Sequence, residues 1–117
     1  MPKRAVTFET VRDIGLQFPG VEEGTAYGSP ALKVKGKLMA CIAINRSAEP
    51  GSLMIRLNFA DRDELLAAGP AIFYTTGHYV SYASVLVRLA RVNPDMLRDL
   101  LGMAHKFVTR AAAKKGR

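Results

Sequence analysis

The chain has 117 residues, half of them hydrophobic and about a quarter charged (49% and 23%), with a formal charge of +7. That length fits one domain able to bury its own core, and the composition excludes a disordered chain. No apolar run approaches the ~18 residues of a bilayer span, and Cys41 is the only cysteine, which excludes an internal disulfide and any multi-thiolate metal site.

The opening segment "MPKRAVTFET" lacks the apolar stretch of a secretory signal, so a cytoplasmic location is expected. Thr7 is a suitable N-cap for the first helix, in which Phe8, Val11, Gly15 and Phe18 recur at helical spacing before Pro19 and Gly20 stop the pattern. "VEEGTAYGSP" holds room for a short edge strand. "ALKVKGKLMACIAI" alternates about Gly36 and predicts two strands joined by a tight turn. After the turn "EPGS", "LMIRLN" predicts a further strand with Leu53, Ile55 and Leu57 on one face.

Asp61 is placed to cap a short helix, "RDELLAAG", that Gly69 and Pro70 end. "AIFYTT" and "ASVLVRLARV" are β-prone and flank an aromatic stretch, "FYTTGHYVSY". Asn93 caps the last helix, Pro94 takes its first position, and Leu97, Leu100, Leu101, Ala104, Phe107 and Val108 form its apolar stripe. The order α-β-β-β(-β)-α-β-β-α, with hairpin-joined strands, predicts a single two-layer α+β domain over residues 1–117. Its antiparallel sheet would carry helices on one face and leave the other open.

Charge is unevenly distributed along the chain. Lys3, Arg4, Lys106, Arg110, Lys114, Lys115 and Arg117 are terminal, while residues 5–105 hold ten basic and ten acidic side chains. Any grip on a polyanion must therefore come from the basic carboxyl-terminal segment, from about residue 106, or from uneven placement within a neutral body. Alternation supplies such a placement: Lys33, Lys35, Arg56 and Arg88 fall opposite the apolar positions, with Lys37 at the hairpin edge. These five, with Lys106, Arg110, Lys114 and Lys115, are candidate phosphate contacts for nucleic acid. The competing explanation is that exposed strand positions are commonly Lys or Arg, which also discourage edge-to-edge aggregation.

Catalytic patterns are thin, and a non-enzymatic protein without metal or cofactor is expected. "GKLMA" lacks the glycine spacing and following hydroxyl of a phosphate loop. Glu22 and Glu23 are adjacent and do not converge on one bond. Cys41 lies among apolar neighbours, where a thiol acts as a small buried hydrophobe. His105 reads as a surface residue. His78 lies amid Tyr74, Tyr79, Ser81 and Tyr82 with no nearby carboxylate to orient it, so it is expected to hydrogen-bond backbone at the crossover. Tyr79 and Tyr82 are candidate aromatic contacts for bases, a small ligand or a protein partner.

The segments "FPGVEEGTAYGSPALKVKGKLMA", "FYTTGHY" and "VLVRLARVNPDMLRDLL", in this order, resemble the MmcQ/YjbR family of small bacterial proteins across nearly the whole chain. The resemblance implies an α+β domain similar in chain order to type III secretion chaperones. It also implies DNA binding, which is attributed to that family on a double-wing shape. Pro19, Gly20, Glu22, Gly36, Lys37 and His78 match family positions and carry no assigned chemistry. The family usually has a tryptophan just before the last strand, where this chain has Ala83 and Ser84. The alternative function is a protein- or ligand-interaction module, homodimeric or with another partner, using residues 73–82.

Overall fold

The computed structural model describes residues 6–115, and the side chains of residues 6–111. Helix α1 (Phe8–Gly15) begins at Thr7, whose backbone N–H donates to the Thr10 hydroxyl at 3.3 Å. Strands β1 (Val21–Ala26), β2 (Ser29–Val34), β3 (Lys37–Ile42) and β4 (Ser52–Arg56) follow, then helix α2 (Phe59–Ala68). Strands β5 (Phe73–Tyr74) and β6 (Ser84–Arg88) precede a 3-10 turn over Leu89–Arg91 and helix α3 (Pro94–Lys115). The six strands form one antiparallel sheet in the order β1-β2-β3-β4-β6-β5. This is the expected α+β fold.

Two hairpins turn through two-residue loops, Tyr27–Gly28 and Lys35–Gly36, with φ of 54° and 79°, then 50° and 78°. Positive φ at both central residues is the type I′ geometry, whose twist matches that of the flanking strands. Glycine accepts it freely, whereas a non-glycine residue in the left-handed region pays about 1–2 kcal/mol. Lys35 is therefore held at the tip of a rigid, slightly strained turn.

The inner face of the sheet carries Leu32, Val34, Leu53, Ile55, Val85 and Val87 against α1 and α3, as the alternation requires. Each fully buried aliphatic side chain contributes about 1.5–3 kcal/mol. A Cβ added to Gly15 would collide with Leu32 Cδ1, which is why α1 ends on glycine where it crosses β2. On α3 the Asn93 side chain accepts from Met96 N at 2.8 Å, and Leu97, Leu100, Leu101, Ala104 and Val108 are buried, with Phe107 packed partly against them.

Several expectations are corrected. The cap of α2 is Asn58, whose side chain accepts from Asp61 N at 2.7 Å, so the helix starts three residues before Arg62. A register shift between Leu32 and Lys33 opposite β3 puts both Met39 and Ala40 on the inner face, so alternation in that strand is not regular. β5 is only two residues long, and β6 stops at Arg88. His105 is half-buried: its Nε2 lies 2.7 Å from Pro19 O and its ring stacks on Phe18 at 5.4 Å, pinning the α1–β1 turn to α3.

The largest correction concerns the outer face. Its centre is apolar and closed, with Ala31, Cys41, Ala43, Met54 and Leu86 buried beneath Ala48, Tyr74 and Tyr79. The loop 75–83 lies over it, joined to the β3–β4 loop by the Ser47 and Thr76 hydroxyls at 2.7 Å. Burial pushes the Cys41 thiol up to about 11. Among the described residues no helix is long and apolar enough to cross a membrane.

Candidate functional site

Antiparallel pairing sorts the predicted cations between the two ends of the sheet. The end of β2, the Lys35–Gly36 turn and the start of β3 lie together, and Arg56 at the end of β4 pairs with Ser84 at the start of β6 at that same end. Ser52 pairs with Arg88 at the opposite end. Lys33, Lys35, Lys37 and Arg56 are thus gathered, and Arg88 is separated from them by the length of a strand.

Arg88 is also committed locally. Its Nε and Nη2 donate to the two Glu49 carboxylate oxygens at 3.0 and 2.7 Å, and its Nη1 donates to Pro70 O and Ala71 O. The guanidinium sits 4.3 Å from the Tyr74 ring centroid, and the Tyr74 hydroxyl contacts Ser52 Oγ and accepts from Glu49 N. The hydrogen bond from Arg88 holds the Glu49 carboxyl below its ordinary range, aided by the guanidinium charge against a smaller desolvation effect; Arg88 is correspondingly raised. A fork of this kind is geometrically specific, so Arg88 ties the β3–β4 loop to the α2–β5 turn. An open groove of about 790 Å³ lies beside it, lined by Val6, Phe8, Ile42, Pro50, Ala71 and Leu89 among others.

At the cationic end, each residue has a distinct setting. Lys35 is exposed at the hairpin tip, and Lys37 is half-buried at the start of β3. Lys33 sits opposite Glu22 in the β1–β2 register, and its stem passes near Gly24. Arg56 is half-buried: Nε donates to Ala83 O at 3.2 Å, and the guanidinium lies 5.6 Å from the Phe107 ring centroid. Through Phe107 this end is continuous with α3, where Lys106 and Arg110 are exposed one turn apart. Lys114 and Lys115 lie outside the residues whose side chains are described. No acidic residue follows Asp99 in the chain.

The aromatic loop reaches this end as well. Tyr79 N and Val80 N both donate to Thr76 O, Tyr82 N donates to Tyr79 O, and Ser84 N donates to Tyr82 O. Arg62 closes the arrangement from α2: Nη1 donates to Val80 O at 2.7 Å and Tyr82 O at 3.3 Å, and its guanidinium stacks 4.6 Å from the Phe59 ring centroid. Its Nε also donates to Asp63 at 3.2 Å, an acid on the helix that packs against β5 and β6. Sequence reasoning missed Arg62. The available signal was Phe59 three residues earlier on the same helical face, a spacing that brings a guanidinium over a ring.

The ten-residue aromatic stretch divides by burial. Phe73 is buried, and Tyr79 packs on the outer-face cluster, with burial raising its phenol pKa. His78 is exposed; its ring meets Tyr79 edge-on at 4.8 Å and lies 6.3 Å from Tyr82, so it makes ring contacts in place of the expected backbone bond. Tyr82 is 58% exposed. Ser84, where the resemblance leads one to expect tryptophan nearby, is buried in β6.

The YjbR family model matches residues 16–107, which spans every strand and all but the ends of the chain. The chain belongs to the YjbR family. Of the residues matched to it by sequence, Gly20 and Gly36 stand at positive φ, Pro19 receives His105, and Glu22 faces Lys33. Among solved structures the YjbR chain is similar to Deinococcus radiodurans protein DR2400, which has a DUF419 domain. The TM-score is 0.72 at 22% identity, covering 93% of this chain and 83% of that one. At that identity the likeness is one of fold. No curated protein matches the chain.

Proposed function

We propose that this YjbR-family chain is a non-enzymatic nucleic-acid-binding protein, DNA foremost, that grips phosphates at one end of its sheet. The observation that carries the reading is the strand register, which gathers Lys33, Lys35, Lys37 and Arg56 at that end and joins them through Phe107 to Lys106 and Arg110. The basic tail with Lys114 and Lys115 extends the same sequence. Arg88 has no part in it, being held by Glu49 at the other end.

Cations spread over a hairpin tip, a strand end and a helix flank fit a phosphate backbone and carry little base information. Binding is then sequence-tolerant and driven by counterion release. With about five phosphates neutralised, log affinity falls with log salt at a slope of roughly −4.5, a loss of several hundredfold between about 50 and 200 mM. Fluorescence anisotropy with a labelled duplex over that range tests this. Lys35→Ala with Arg110→Ala is expected to flatten the slope by about two. Affinity indifferent to salt, or unchanged in that double variant, refutes the reading.

A further inference from the structure

We infer that the exposed rings beside this cationic end stack on unpaired bases, so that the preferred ligand is single-stranded nucleic acid. The inference rests on the phosphate-binding reading and adds to it which form of nucleic acid the site accepts.

Tyr82 carries the argument because its backbone is immobilised while its ring is not covered. Its N–H donates to Tyr79 O at 3.0 Å, and its carbonyl accepts from Ser84 N–H at 2.8 Å and from Arg62 Nη1 at 3.3 Å. Such a ring has only two side-chain torsions left to order on contact, which keeps the entropic cost of binding low. Single exposed apolar residues are ordinary, but here four share one rim: Phe59, His78, Val80 and Tyr82 are all exposed. Arg62 joins three of them, stacking on Phe59 and bonding the carbonyls of Val80 and Tyr82.

The charge on the Arg56 side of the rim selects the occupant, since on the α2 side Arg62 is paired with the exposed Asp63. Arg56 donates to Ala83 O, the residue next to Tyr82, and leads through Phe107 to Lys106 and Arg110. A groove of cations alongside aromatic faces is the arrangement that holds single strands: phosphates follow the charges and successive bases stack, with a tolerance for sequence because every base has a π face. A duplex hides those faces, and exposing one costs a few kcal/mol per step. Against a duplex, Tyr82 would have to meet that cost from its own contacts. Bases already unpaired meet it at no such cost.

The test uses the whole chain and two labelled probes of equal length at low salt, oligo(dT) and a duplex, read by fluorescence anisotropy. Oligo(dT) is expected to bind more tightly. Tyr82→Ala should weaken oligo(dT) roughly tenfold and leave duplex affinity and the salt slope unchanged, while Tyr82→Phe keeps the wild-type value. Circular dichroism confirms that both variants are folded. If Tyr82→Ala leaves oligo(dT) binding intact, or the duplex is preferred, while Lys35→Ala with Arg110→Ala weakens both probes, the stacking inference fails and the phosphate reading survives. If neither probe binds, both fail. A concentration-dependent dimer that Tyr82→Ala abolishes assigns the rim to a second copy of the chain and overturns the inference.

Discussion

Replacing Arg62 with methionine probes the device that presents the aromatic loop. Methionine keeps most of the apolar stem packing and removes the guanidinium, which in the wild type is nearly buried and donates to Val80 O and Tyr82 O. Hydrogen bonds from a charged group are worth about 1.5–3 kcal/mol net, and the stack on Phe59 adds about 0.5–1 kcal/mol at a partly exposed ring. Tyr82 O retains Ser84 N–H as a donor, which limits its loss, and the exposed Asp63 contact adds little. The expected destabilisation is about 2 kcal/mol. With a urea m-value of about 1.5 kcal/mol/M, the unfolding midpoint falls by roughly 1.3 M. Amide exchange should report the same event locally, because Val80 N–H and Tyr82 N–H are bonded within the turn that Arg62 braces. A midpoint within about 0.3 M of wild type, or a full drop with protection at those two amides intact, refutes the assignment of Arg62 as the brace.

Two further predictions concern titrating groups away from the cationic end. Glu49 has its folded pKa depressed by Arg88, so its contribution is present above the unfolded value of about 4.3 and is lost as pH falls through the folded value. Glu49→Gln should therefore be less stable than wild type at neutral pH, with the urea midpoints converging in acid; a gap that persists or widens there contradicts the linkage. Cys41, 4% exposed with its thiol raised to about 11, is about one part in a thousand thiolate at pH 8. An aromatic disulfide reagent should leave native protein unlabelled over hours and label one equivalent in denaturant. Native labelling at the denatured rate would show that the outer face opens readily.

The hairpin about Gly36 and the last helix from Asn93 were legible because their signals are local. A two-residue turn and a cap are each written within four residues, and the apolar stripe of α3 repeats at its own period. The start of α2 was not, because Asn58 and Asp61 are both good caps three residues apart. Asn58 takes the role and bonds to Asp61 itself. The irregular register at Met39 is likewise invisible to a count of alternating positions.

The candidate site follows the same division. Counting outward positions set Lys33, Lys35, Arg56 and Arg88 opposite the core and joined them into a stripe that does not exist: Lys35 lies in the hairpin turn, and the Arg56 guanidinium reaches Phe107 of α3. Between them lie Ala31, Cys41, Met54 and Leu86, residues apolar enough to be covered once the loop 75–83 folds over them. That cover hangs from β5, a strand that the β-prone "AIFYTT" anticipated although only Phe73 and Tyr74 pair in it. Arg88 finds Glu49 at a separation of 39 residues, and His105 finds Pro19 at 86, so neither role has a local signature.

Composition, alternation and capping residues were sufficient for the element types, the antiparallel α+β plan and the face that becomes the core, since each rests on forces acting over a few residues. Folding in three dimensions determined which cations share an end of the sheet, which are spent on carboxylates and carbonyls, and which rings stay in solvent. Those outcomes depend on strand order and register, set by burial across the whole chain. The loop that began as a run of tyrosines around a histidine ends as three different things: Phe73 in the core, Tyr79 as a lid on the outer face, and Tyr82 as an exposed ring on a fixed backbone.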